Sequence, residues 1–289
     1  MSTPDGKSET ERETPFEVLT PSEVNLVERA EIDSAIATAK RYPRDLGKVK
    51  RDMREMATLD EETAAAMNFA LPRGGKLIQG PSIRMAEVAV ACYGNISVHS
   101  RIVETTASFV RAQGVGHDLE KNVRSGVEVR RRVYPSKKAQ DKAAALEDAI
   151  NLASAAAAAI AFREAAFKVI PRALIKPVAD EAKKVGAGDA KTFSARRKEA
   201  MAKFKEKGIP AQKVYNFLGR TNTDSITTED LQVLFGILTA IEEGHTTPDQ
   251  AFEATPAEKP FAGTSFTQGH DVIEPTPAAE PKEAEALFT

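Results

Sequence analysis

The stretch from Gln140 to Leu174 contains no glycine, is dominated by alanine and is built of strong helix formers throughout, which predicts one long helix. Its small residues, Ala153, Ala156 and Ala157 among them, would let such a helix lie close against a sheet. On a helical wheel Phe162, Ala166, Ile170 and Leu174 share an apolar stripe, while Lys168, Arg172 and Lys176, at i, i+4 and i+8, share the opposite one. Arg163 falls on the apolar side, where it either pairs with an acid or lines a groove. Pro171 is placed to kink the last turn.

The partner layer is legible just upstream. Residues 81 to 93, PSIRMAEVAVACY, read as a helix with Ile83, Ala86, Val90 and Tyr93 on one side, punctuated by Gly94-Asn95. Ile96, Val98 and Ile102 then alternate with His99, Arg101 and Val103 as in a half-buried strand, and Phe109, Val110 and Val115 suggest a second strand before a turn at Gly114 and Gly116. The third is clearest: Val123, Val127, Val129 and Val133 point one way, and Arg124, Glu128, Arg130 and Arg132 the other. Arg131 falls on the apolar side.

The expected fold class is therefore α+β: a helix, a three-stranded antiparallel meander and a long helix, plus a small C-terminal helical module. The divisions are 1–27 as a disordered acidic arm, 28–180 as the α+β core, 181–198 as a basic linker around Gly186 and Gly188, 199–252 as the module and 253–289 as a disordered acidic tail. From Glu28 to about Phe69 the pattern reads as helical, broken at Pro43, with a basic second half carrying Arg41, Arg44, Lys48, Lys50, Arg51 and Arg54. In the module, helices end at Gly208, Gly219 and Gly244, and Thr227 or Thr228 caps the last.

Charge is distributed unevenly. Residues 1–33 hold nine acids against three bases and residues 249–289 eight against two, so a net charge of −2 hides two ends of −6 each and a body of +10. A basic body between acidic ends is the electrostatic pattern of proteins that meet polyanions, and the ends can compete for the same surface.

Catalytic templates are missing from the sequence. The four histidines, His99, His117, His245 and His270, lie far apart, and Cys92 is the one cysteine, so no metal-site spacing exists and no cofactor is expected. Arg73-Gly74-Gly75-Lys76 lacks the remainder of a phosphate-binding loop, there is no nucleophile elbow, and the carboxylates of a metal nuclease are not clustered. The lone cysteine, the polar N-terminus and the lack of an apolar run of about 20 residues point to a cytoplasmic protein without a membrane span.

Three segments together, GGKLIQGPSIRMAEVAVACYGN (74–95), AQGVGHDLEKNVRSGVEVRRRV (112–133) and ALEDAINLASAAAAAIAFREAAFKVIPRAL (145–174), resemble the phage single-strand annealing recombinase superfamily, which includes RecT, Red beta, Erf and the eukaryotic annealing recombinase. The resemblance implies ATP-independent binding of single-stranded DNA and annealing of complementary strands in phage recombination, in the host cytoplasm and without a catalytic centre. It further implies a homo-oligomeric ring or helical filament joined sheet to sheet, with DNA in a basic groove between meander and helices. The candidates for phosphate contact that it brings are Arg84, Arg101, Arg111, Lys121, Arg124, Arg130, Arg132, Arg163, Lys168 and Arg172. The C-terminal module would engage an exonuclease or the host single-strand binding protein. Two other readings compete: a passive coating protein for single strands, and a phage scaffold that does not bind DNA.

Overall fold

An alanine-rich helix needs a backbone to lie on, and a glycine-bearing strand provides it. The computed structural model describes residues 21–73, 76–135 and 141–252. Along the chain run α1 (Pro21–Arg41), α2 (Leu46–Ala57), α3 (Glu61–Ala66), a hairpin of β1 (Asn68–Arg73) and β2 (Lys76–Pro81), and α4 (Ile83–Tyr93). The antiparallel meander β3 (Ile96–Thr105), β4 (Phe109–Asp118) and β5 (Val123–Arg132) follows, in that spatial order. The helices α5 (Lys142–Val169), α6 (Arg172–Gly186), α7 (Phe193–Glu206), α8 (Ala211–Leu218) and α9 (Thr228–Glu242) complete the α+β architecture.

β4 does not turn at Gly114 and Gly116, as the sequence suggested, but runs through both to Asp118. The glycines serve close approach. A Cβ at Gly114 would lie inside van der Waals contact of the Ala161 carbonyl oxygen, and one at Gly116 would lie 2.6 Å from that of Ala165. Helix α5 therefore rests on β4 backbone to backbone, its Ala153, Ala157 and Ala161 packed with Val110, Ala112 and Val133. Between meander and α5 there is thus no groove at these positions.

The long helix is shorter than expected. Ile170 is extended, at φ −88° and ψ 124°, as the residue before a proline is biased to be, and Pro171 precedes a new helix. Lys168 therefore ends α5 while Arg172 and Lys176 belong to α6, and the three share no single helical stripe. By length and composition α5 is long and apolar enough to cross a bilayer, contrary to the sequence reading; here its apolar side is spent on the sheet.

The residues expected to form a linker, 181–198, are largely helical: they close α6 and open α7. Gly186 is there because α6 touches α3, where a Cβ would lie 2.6 Å from the Ala65 amide nitrogen. Arg196 is buried beside it and donates to the carbonyls of Gly186 and Glu61. The C-terminal helices, whose core is Phe204, Val214, Leu231, Leu234 and Ile237, pack in turn on Ala70 of β1. They join the rest of the protein instead of hanging from it.

A third core joins Val49 and Met53 of α2, Met85 and Tyr93 of α4, and Ile170, Ile175 and Val178 near α6. The β1–β2 hairpin is absent from the sequence reading, which took the chain as helical to Phe69. Residues 21–27, assigned to the arm, form the start of α1, whereas 1–20 and the tail 253–289 lie outside the described residues.

Candidate nucleic-acid interface

With α5 on one face of the meander, alternation sends every second side chain to the other. Across the three strands that outer face reads Ser97, His117, Arg124; then His99, Val115, Gly126; then Arg101, Gln113, Glu128; then Glu104, Arg111, Arg130; and finally Phe109 beside Arg132. No described helix packs across it. A bulge between Ile102 and Glu104 shifts the register, so that Glu104 joins this face and Val103 is left exposed.

Five arginines therefore share one surface with two glutamates. Arg111 takes up both acids, at 2.9 Å from Glu104 and 3.6 Å from Glu128. Arg101 donates to the neutral Gln113 amide oxygen at 3.0 Å. The Arg130 guanidinium lies 3.8 Å above the Phe109 ring, a cation–π contact that leaves its charge uncompensated. Arg124 and Arg132 are exposed and form no ion pair with a described carboxylate. These guanidiniums are fixed by strand register and not by a flexible loop.

The turn after β4 extends the face. Asn122 takes φ 53°, Lys121 is exposed, and Asp118 accepts from the backbone amides of Glu120 and Lys121 at 3.1 and 3.2 Å. Arg44, read from sequence as part of a basic helical stretch, is buried behind this turn. It grips Asp118 through two hydrogen bonds of 2.7 and 2.8 Å and stacks 3.8 Å from the Tyr93 ring. Burial disfavours the Asp118 carboxylate, but hydrogen bonds from Arg44 and from the Lys121 amide outweigh it and hold its pKa below the usual value.

The remaining sequence candidates lie elsewhere. Arg84 is on α4, paired with Glu87 at 2.9 Å. Arg163 is buried, with its guanidinium 4.8 Å from the Phe69 ring, 2.7 Å from Glu164 and 2.9 Å from His245. It ties α5 to the hairpin and the C-terminal segment and is withdrawn from any ligand surface. Lys168 and Arg172 are exposed on the helix side of the sheet. Arg131 faces inward as its strand phase required, and donates to the Gly244 carbonyl.

The ten candidates thus divide into five on one open face, one at its end, and four off it. Sequence reasoning placed His99 beside Arg101 but missed Gln113, Val115 and His117 as companions on that face; the signal was there, in glycines alternating with larger residues along β4. Comparison with protein-family models, with curated proteins and with solved structures finds no match to this chain.

Proposed function

We propose that this protein binds single-stranded DNA on the outer face of the meander and anneals complementary strands without ATP, in phage-type homologous recombination. The observation that carries the reading is the concentration of Arg101, Arg111, Arg124, Arg130 and Arg132 on one uncovered sheet face with only Glu104 and Glu128 against them. Such a surface neutralises phosphates without reading sequence, and its affinity falls with salt.

Both outer strands, β3 and β5, end the sheet with unpaired backbone, which is the surface through which copies would join into a ring or filament. Beside β5, Tyr134, Ala145, Ala149 and Leu152 line an open cleft of about 450 Å³, together with the carboxylates of Asp141 and Asp148, that adds surface to such a contact. In this reading the chain needs no catalytic centre, works in the cytoplasm, and uses its C-terminal helices to meet an exonuclease or a host single-strand binding protein.

The test is fluorescence-monitored annealing of two complementary oligonucleotides without ATP or magnesium, over a salt series. Acceleration above the spontaneous rate that fades with salt supports the proposal. Binding that slows pairing would make the protein a passive coat, and absence of binding would leave a structural role.

A further inference from the structure

The outer face carries a surplus of positive charge with no described element covering it, and the chain carries the matching surplus of negative charge just beyond the last described residue. After Phe252 come 37 residues with seven acids, Glu253, Glu258, Asp271, Glu274, Glu280, Glu283 and Glu285, against Lys259 and Lys282. Three of the acids lie within six residues of one another near the end, followed by Leu287 and Phe288. We infer that residues 253–289 dock back on the arginine face of the meander and compete there with nucleic acid. This rests on the proposed function for its competitor, not for the docking.

The root of the tail is well placed. Phe252 is held edge-on between Phe204 and Phe217, with ring centres 5.5 and 5.4 Å away. A few residues earlier, the Gly244 carbonyl accepts from Arg131, which belongs to β5, the strand that bears Arg124, Arg130 and Arg132. The tail thus roots at Phe252, eight residues beyond a contact with β5. A coil of this length has a root-mean-square reach of roughly 30–36 Å, and about 120 Å at full extension, against a sheet spacing of about 10 Å.

Charge and apolar content agree. Carboxylates meet Arg124, Arg130 and Arg132, which form no ion pair with a described acid, while Phe261, Phe266 or Phe288 can lie against Val115. Tethering makes a weak contact count. A short flexible tether gives an effective concentration of about 1 mM, so a tail whose free peptide binds with a Kd of about 0.1 mM lowers apparent DNA affinity roughly tenfold.

The test uses the full chain with all seven tail acids neutralised (E253Q, E258Q, D271N, E274Q, E280Q, E283Q and E285Q). A fluorescent peptide of residues 253–289 is titrated into it, and a labelled oligothymidylate is titrated into both this variant and the native chain. The peptide is expected to bind at low salt, to be released as salt rises, and to lose binding when R124A, R130A and R132A are added. The neutralised chain should bind the oligonucleotide about tenfold more tightly than the native one at low salt, the gap closing at high salt.

A peptide that does not bind, that binds equally well without the three arginines, or a neutralised tail that leaves DNA affinity unchanged would each overturn the inference. DNA binding with no peptide binding rejects the docking and leaves the proposed function standing. Arginine-dependent peptide binding with no DNA binding does the reverse.

Discussion

Replacing Arg124, Arg130 and Arg132 together by alanine tests where a DNA strand runs. Each phosphate contact on a single strand contributes about 0.7 to the slope of log affinity against log salt, so the five outer-face arginines give a slope of about 3.5 and the triple variant about 1.4. Between 50 and 200 mM salt this corresponds to a loss of affinity of roughly 130-fold in the parent and roughly sevenfold in the variant. The comparison is made with the tail acids neutralised, so that release of the tail does not enter the slope. All three side chains are exposed, so folding should be unaffected, which circular dichroism checks. Lys168→Ala with Arg172→Ala, on the helix side of the sheet, is the matched control and should change the slope by no more than about 0.7. If the triple variant keeps its slope while the control loses about 1.4, the strand lies on the helix side and the argument from the open face is wrong.

Gly114→Ala drives a methyl group into the backbone of α5 and should cost about 2 kcal/mol, lowering the melting temperature by about 4–8 °C; Gly126→Ala, whose Cβ meets only the Gly114 carbonyl at 3.8 Å, should leave it within about 2 °C. Asp118→Ala leaves the Arg44 guanidinium, whose side chain is 5% exposed, with Glu120 at 3.2 Å as its remaining acid, and should destabilise by about 3 kcal/mol in chemical denaturation, whereas Arg84→Ala on the exposed ion pair should cost under about 1 kcal/mol. His245 is pushed to a lower pKa, first by burial and then by the nearby Arg163 and Arg131, against the opposing hydrogen bond with Glu243. The unfolded chain therefore takes up a proton below about pH 6.5 that the folded chain refuses, so stability holds above that pH and falls as pH drops through it. His245→Asn should flatten the melting temperature between pH 7 and 5, and an unchanged slope would remove His245 as its source.

The meander and its phase were legible because Val127 and Val129 of β5 alternate with Glu128, Arg130 and Arg132, and this placed Arg124, Arg130 and Arg132 on the open face and Arg131 off it. Gly114 and Gly116 misled for a physical reason. Glycine marks a turn in local pattern, but here the missing side chain is used by a helix arriving from residues 161–165, a contact no local pattern carries. Gly186 misled in the same way and turned two helix ends into a linker. Arg44 was indistinguishable from a surface arginine because its partner Asp118 lies 74 residues away; Arg163 stood out on the apolar side of its helix, but its partner His245, 82 residues away, carries no local signal. The hairpin was missed because β1 follows a helical stretch with no polar break and contains Pro72, which argues against a strand when read alone.

Whether the face presents or hides the bases depends on Phe109. A base-stacking platform leaves aromatic rings open, and removing one costs about 1–3 kcal/mol per base. Among the described residues Phe109 is the one Phe, Tyr or Trp on the outer face, and the Arg130 guanidinium already lies flat on its ring at 3.8 Å, so a base can stack there only by displacing a cation or by covering it. A strand held through its phosphates keeps its base edges turned to solvent, as pairing with a second strand requires. Phe109→Ala should therefore change oligothymidylate affinity by less than about threefold, under the roughly 1 kcal/mol at which loss of a stacked base begins. Thymines in the complex should stay reactive to permanganate, which attacks unstacked rings. Thymines protected in the parent and exposed in the variant would show that bases lie against the sheet, and a surface that buries them there coats a strand without offering it for annealing.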